Sequence, residues 1–346
     1  MVEYFERNQM LKHDLRVLTD LDIQEKAVVL RADLDVDTDA ISGIRLLAVR
    51  SSVDYVFEKK ARKVIIIGHR KRPEGFDPKL STRLLIDSLQ QVLERKITFA
   101  PDFDKMPKDD LVLFENLRFW KGERNQDEAF AQALAGLGDV CVSDAFGTFH
   151  RTDTSISLLP QLLPSACGIQ AEKEYLALSR LTQLPDHPFV AIVGGAKIQD
   201  KVPTIQNLAK IADTILVGGL LPIEIKREKL SFGNNVVVAN LTTEEKDIDQ
   251  NSIDKFVNII VTAKMIVCNG SAGYVEGGFT QGTDSIINAI IKSGAYSVVG
   301  GGDTTQYLFN RNLQSHFNHV STGGGAMLEF LSGSQLPGFE VLRRNR

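Results

Sequence analysis

VIIIGHRKRP, residues 64–73, holds the pattern that decides the fold. Four branched aliphatics in succession suit a strand covered on both faces, as the strands of parallel sheets are. The chain then turns through a glycine straight into His69, Arg70, Lys71 and Arg72. A core strand ending in positive charge marks the carboxyl edge of a sheet, where open α/β folds bind their ligands.

Working outward, the same succession of aliphatic run, turn and helical stretch recurs along the chain. In the first half the runs are VVLRADL from 28, ITFAP from 97, LVLFENLRF from 111 and VCVSDAFG from 140. In the second they are FVAIVGG from 189, DTILVGG from 213, NNVVVAN from 234, KMIVCNG from 264, YSVVGGG from 296 and HVSTGGG from 319. Between them lie stretches such as RLLAVRSSVDYVFEKKA and TRLLIDSLQQVLER with apolar residues at helical spacing. Strands alternating with helices predict parallel sheets. With 346 residues, two cores are expected rather than one. We therefore expect two doubly wound α/β domains, residues 1–168 and 187–330, joined by a helix over 169–186 that ends before Pro185 and Pro188.

Composition narrows the function. Apolar content of 43%, 24% charged residues and a net charge of −4 describe an ordinary globular chain that favours neither nucleic acid nor anionic membrane. No run is apolar enough to span a bilayer, and the start, MVEYFERNQMLKHDL, is too charged for a signal peptide. Three cysteines without CxxC spacing suggest neither a disulfide framework nor a zinc site, which makes the cytoplasm the expected compartment. GxxxxGK[ST], GxGxxG, HExxH and GxSxG are all absent.

The two halves differ in the residues placed just after their strands. The first presents Arg31, His69 with Arg72, Arg118, and His150 with Arg151, and Arg45 opens its first long helical stretch. Guanidinium forks recognise carboxylate or phosphate, so these residues are candidates for a small, multiply charged anion. Asp33 and Asp35 would orient the arginines or simply form a polar turn. The second half presents glycines: Gly194-Gly195, Gly218-Gly219, Asn269-Gly270, Gly300 to Gly302 and Gly323 to Gly325. Bare backbone lets phosphate approach, and a following helix offers free N–H groups. In GGAKIQDKV, Lys197 and Lys201 would share one helical face, to reach phosphates or to sit in solvent. In GGGDTTQYL, Asp303 would hold Mg²⁺ or cap a helix that begins at Thr304. Glu276 would accept from a ribose or stand at the surface.

In order and spacing, RADLDV, GHRKRP, LFENLRFW, SDAFGTFHR, GGAKIQDK, CNGSAGYVE, VVGGGDTT and HVSTGGGAMLEFL resemble the phosphoglycerate kinase family over nearly the whole chain. The resemblance implies phosphoryl transfer between ATP and 3-phosphoglycerate, with Mg²⁺, in the cytosol, by a monomer. It places Asp33, Asp35, Arg45, His69, Arg72, Arg118 and Arg151 in the phosphoglycerate patch, with Arg31 in the same motif. It places Gly195, Ala196, Lys197, Lys201, Gly218, Gly219, Asn269, Gly270, Glu276, Gly302, Asp303 and Thr304 around the nucleotide, Asp303 also meeting the metal. Arg45, Lys197 and Gly324 would act on the migrating group. The tail, residues 331–346, would return to the first domain.

The chain also departs from the family pattern. Asp35 replaces the asparagine of an RVDFN-like motif, Gly68 and Lys71 replace the serine and glycine of SHLGRP, and Asp153 replaces a histidine. Leu220 stands for a third glycine and is followed by Leu221 and Pro222; Cys268, Ser271 and Ala272 replace residues of WNGPMG. The stretch from about Lys229 to Lys264 is short, and DIDQ puts Asp249 where a DIGP-like turn has glycine. These losses on the adenosine side leave one alternative: a catalytically impaired relative that binds an anion or a partner.

Overall fold

The computed structural model describes residues 15–36 and 44–344. Most of the charged opening segment, and the last two residues of the tail, lie outside them. The chain divides into two compact units, residues 1–174 with 335–346, and residues 175–334. The division falls inside the helix Ile169–Gln183 rather than at either of its ends, and the returning tail begins at Gln335 rather than 331.

The first unit holds strands β1 (Ala27–Ala32), β2 (Lys63–Ile67), β3 (Thr98–Ala100), β4 (Leu111–Phe114), β5 (Val140–Asp144) and β6 (Ser165–Cys167). They form one sheet in the order β3-β4-β2-β1-β5-β6, parallel throughout. Every residue of β1 is buried, Arg31 included, which is why its first four residues read as a continuous apolar run rather than an alternation. The helix Ile44–Glu58 turns Leu46, Val49, Val53 and Val56 inward at helical spacing. Burying each such side chain contributes on the order of 1.5–3 kcal/mol. β6 was not expected. Its three residues, Ser165, Ala166 and Cys167, carry no aliphatic run, and they pair through the edge of β5.

The second unit holds β7 (Phe189–Val193), β8 (Thr214–Val217), β9 (Val236–Val238), β10 (Met265–Asn269), β11 (Tyr296–Gly300) and β12 (His319–Val320). Their order is β12-β11-β10-β7-β8-β9, again all parallel. The chain winds outward from β7 through β8 to β9, then crosses back to β10 on the other side. The gap in winding direction between β7 and β10 is the topological switch point. In the first unit the corresponding reversal lies between β1 and β5.

The doubly wound α/β architecture expected from the sequence is the one observed. The returning tail packs on the first unit: the Gly338 amide donates to the Phe149 carbonyl at 3.0 Å, and Phe339 meets the Phe149 ring edge-on at 5.0 Å. The first turn of Ile169–Gln183 is held by Asp144 at the end of β5. Its carboxylate accepts from the Ala171 amide at 2.8 Å and from Ser52 Oγ at 2.6 Å. A carboxylate at a helix N-terminus is well placed against the helix dipole.

Candidate active site

Because every strand of the first unit runs the same way, the residues after β1, β2, β4 and β5 gather on one edge. The charged run after β2 is divided by burial. His69 and Arg70 are buried, while Lys71 and Arg72 are exposed. Arg70 is structural: its guanidinium donates to the Ser81 carbonyl at 2.9 Å. Asn116, just after β4, braces the same turn. Its side chain accepts from the Arg70 amide at 3.2 Å and donates to the Arg70 carbonyl at 2.9 Å. This is what the ENLRF stretch does locally.

His69 is fully buried. Its Nδ1 lies 3.1 Å from an Arg31 guanidinium nitrogen, which can only donate, so Nδ1 accepts and Nε2 carries the proton. Burial, then Arg31, Arg118, Arg151 and Arg45, hold its pKa well below the usual histidine range, so the ring is neutral at pH 7. Nε2 has no hydrogen-bond partner among the described residues. A buried donor left unmatched costs about 1–3 kcal/mol unless a ligand takes it.

Around it stand the arginines. Arg118 donates to the Lys71 carbonyl at 2.7 Å and to Asp153 Oδ2 at 3.1 Å. Arg45 donates to the Asp35 carbonyl at 2.7 Å and lies 3.4 Å from Asp33 Oδ2. Arg151 is half-buried and Arg72 exposed, and neither guanidinium has a hydrogen-bond or ion-pair partner among the described residues. Burial, then Arg118, lowers the Arg151 pKa, the expected consequence of cations set side by side. His150, beside Arg151 after the fifth strand, contributes a buried Nδ1 without a partner among the described residues.

Arg31 is a correction to the pocket. It is fully buried, and its Nε donates to Ser155 Oγ at 2.8 Å and NH1 to the Ala32 carbonyl at 2.6 Å. Its place on β1, one residue before the strand end and paired with Ile67 and Ser143, keeps it inside the sheet rather than at the ligand edge.

Three departures from the family pattern meet at one turn. Lys71 has φ of +52°, a conformation that suits glycine. Its amide donates to Asp35 Oδ1 at 2.9 Å, and its carbonyl accepts from Arg118, which Asp153 holds. Asp35 thus spends one oxygen on backbone; its other lies 4.0 Å from His69 Nε2.

In the second unit the glycines gather at the switch point. The Gly194 amide donates to the Asn269 carbonyl at 2.9 Å. A Cβ on Gly194 would stand 2.1 Å from the Ser271 carbonyl oxygen, and Gly270 has φ of +95° with its own Cβ position 2.3 Å from the Gly194 oxygen. Backbone meets backbone there, so Gly194→Ala is expected to lower unfolding stability by at least about 2 kcal/mol, measured by denaturant titration. Leu220, by contrast, has φ of −87°, so no glycine is required at that third position.

A cavity of about 220 Å³ opens beside this crossing, lined by Gly195, Ala196, Gly219, Glu276 and Asp303, and also by Leu220, Ser271, Gly273, Tyr274 and Val275. Of the residues expected around a nucleotide, the first five therefore share a wall. Gly218 instead packs toward Ile248 and Ala272. Lys201 and Asn269 lie behind the wall: Lys201 Nζ donates to Asn269 Oδ1 at 3.3 Å, and burial lowers the lysine pKa. Asn269 Nδ2 reaches back to the Gly324 carbonyl at 3.4 Å, at the start of the helix Gly324–Leu331.

Two expectations fail locally. Lys197 and Lys201 do not share a helical face, because Pro203 sets the start of the helix Val202–Leu208 and both lysines precede it. Lys197 is exposed in the turn and Lys201 is buried. Nor is Asp303 a cap: Gly301 caps the helix Gly302–Asn310, Asp303 is its second residue, and Thr304 its third. Asp303 is exposed at the cavity wall, and Thr304 Oγ1 is buried without a partner among the described residues. In DIDQ, Asp249 accepts from the Ser252 amide at 2.8 Å and caps the helix Gln250–Ile260, a use that glycine could not supply. The cysteines are free and buried, with Cys141 and Cys268 pushed up to about 12, so no thiol enters the chemistry.

Two parallel α/β units, one with unmatched cationic and imidazole donors at its strand ends and one with a glycine-lined cavity walled in part by Glu276 and Asp303, define a phosphotransferase-type chain. The family model for phosphoglycerate kinase matches residues 18–245 and 224–334, and the chain belongs to that family. It is 33% identical to the phosphoglycerate kinase of Pseudothermotoga lettingae over 388 aligned positions, covering 94% of this chain and 98% of that protein. The enzyme of Coprothermobacter proteolyticus is also 33% identical, over 95% of this chain and 98% of its own length. Among solved structures, phosphoglycerate kinase from Coxiella burnetii superposes with a TM-score of 0.79 at 30% identity, covering 95% of this chain and 98% of that one. The enzyme from Pyrococcus horikoshii gives 0.83 at 26%, with the same coverage.

Proposed function

We propose that the protein transfers a phosphoryl group between ATP and the carboxylate of 3-phosphoglycerate, forming ADP and 1,3-bisphosphoglycerate. Family membership over nearly the whole chain supports the reaction. The observation that carries the substrate side is His69 Nε2: a buried N–H with no partner, set among Arg45, Arg118 and Arg151. Such a donor suits a small anion bearing several oxygens.

The acceptor needs no general base, since a carboxylate is already ionised near neutral pH. The residues therefore align and neutralise. Arg151 and Arg72 supply uncommitted charge to the phosphoglycerate, and Arg45 supplies a guanidinium already oriented by Asp33 and the Asp35 carbonyl. On the nucleotide side, Gly195 and Gly219, whose amides donate to the Ser271 and Ala272 carbonyls, leave bare backbone for phosphate to approach. The amides opening the helix Gly302–Asn310 donate to it, Lys197 and Thr304 reach its oxygens, and Glu276 takes the ribose. Lys201, Asn269 and Gly324 hold that wall in register.

Asp303 fits a magnesium ion. Among the described residues no three of His, Cys, Asp or Glu cluster as a metal cage. A single exposed carboxylate suits Mg²⁺, which keeps most of its ligands as water and phosphate oxygen. When bound there with the nucleotide, the ion would offset phosphate charge. Asp303→Asn is expected to raise the Mg²⁺ concentration giving half-maximal rate by about tenfold or more, with the melting temperature unchanged.

Among the described residues no helix is long and apolar enough to cross a membrane, and three buried free thiols suit the cytoplasm. The test is direct. Purified protein with ATP, Mg²⁺ and 3-phosphoglycerate, coupled to a dehydrogenase that consumes the acyl phosphate, is expected to oxidise NADH. No signal at high enzyme concentration would reject the reading.

A further inference from the structure

Behind the phosphoglycerate patch runs a buried chain of polar groups that the reaction does not itself require. Glu123, Ser155, Arg31 and His69 are each 0% exposed. Ser155 Oγ donates to Glu123 Oε1 at 2.6 Å and accepts from Arg31 Nε at 2.8 Å; the Ser155 amide donates to Glu123 Oε2 at 3.0 Å. Arg31 then donates to His69 Nδ1 at 3.1 Å. The four residues come from four places: the turn Lys121–Glu123, the helix Thr154–Ser157, β1, and the loop after β2.

A buried guanidinium and a buried carboxylate are each expensive alone, and they are retained here with every link hydrogen-bonded. The direction of the links is fixed at one end by chemistry. Arginine has donors only, so the nitrogen it meets on His69 must accept. Glu123 and Ser155 hold the Arg31 fork in the plane that makes this contact. Without them the imidazole is free to take its other tautomer, which would turn a lone pair rather than an N–H toward an anion.

We propose that Glu123, Ser155 and Arg31 are positioning residues that lock His69 as the Nε2–H tautomer and so make it a neutral donor to the phosphoglycerate anion. The proposal rests on the substrate reading above but is tested apart from it. Nitrogen-15 NMR of the imidazole in the parent protein at neutral pH is expected to show Nδ1 bare and Nε2 protonated. In Ser155→Ala the second tautomer is expected to appear, and KM for 3-phosphoglycerate to rise about tenfold, the scale of one lost hydrogen bond. KM for ATP is expected to stay put, and Ser155→Thr, which keeps the hydroxyl, to restore both readings.

A protonated Nδ1 or an imidazolium in the parent would overturn the proposal whether or not any variant folds. So would a Ser155→Ala protein with parental tautomer and KM, or one in which KM for both substrates rises together. Turnover by the parent without this tautomer would remove the relay and leave the assigned reaction standing. A parent with the tautomer but no turnover would reject the assigned reaction and leave the tautomer lock standing on its NMR reading, with Ser155→Ala still required to release the second tautomer.

Discussion

Arg45→Ala is expected to cut kcat by about 10²–10³-fold, the range seen when one preorganised donor to a developing negative charge is removed. Its side chain is one-third exposed, and it reaches Asp33 and the Asp35 carbonyl without joining the core. Folding is therefore expected to survive, with a midpoint within a few degrees of the parent. Arg45→Lys keeps the charge but loses the planar fork, and is expected to recover only part of the rate. Steady-state kinetics with varied 3-phosphoglycerate and saturating ATP would decide it. A parental kcat in Arg45→Ala would remove the residue from the migrating group.

Lys197→Ala is expected to act from the nucleotide side on a similar scale, about 10²–10³-fold in kcat. Lys197 is exposed in the turn between β7 and the helix Val202–Leu208. Lys201, by contrast, is buried against Asn269. The two lysines should therefore separate in the same experiment. Lys197→Ala is expected to lose rate at unchanged stability. Lys201→Ala is expected to lose stability as well, since it leaves a buried amide oxygen unmatched at about 1–3 kcal/mol. Thermal melts beside single-turnover kinetics distinguish them. Equal melting temperatures and equal rates for the two variants would contradict this division of labour.

Much of the architecture was legible because parallel strands advertise themselves: VVL at 28–30 and VIII at 64–67 are aliphatic on both faces, as central strands are. β6 was not legible, since Ser165, Ala166 and Cys167 owe their strand to the edge of β5 rather than to their own side chains. The cationic edge was visible as arginines after strands, yet sequence position alone could not separate Arg151, which is left uncommitted, from Arg31, which is consumed inside the sheet. The lysine spacing misled for a physical reason. A glycine turn with φ of +100° at Gly195 and a proline at the second helical position delay the helix until Val202. Glu123 lay hidden in the polar stretch KGERNQDE. Its burial depends on Ser155, 32 residues away, and burial raises its pKa to about 7.

The turn at Lys71 bears on how this chain can have diverged. Asp35 holds its amide, Arg118 its carbonyl, and Asp153 holds Arg118. Neighbours joined this way do not change independently, and their effects on stability do not add. Grafting aspartate, lysine or the second aspartate singly into a longer relative should therefore cost more than installing all three at once. The path between such enzymes is then a coupled passage with a restricted order of steps.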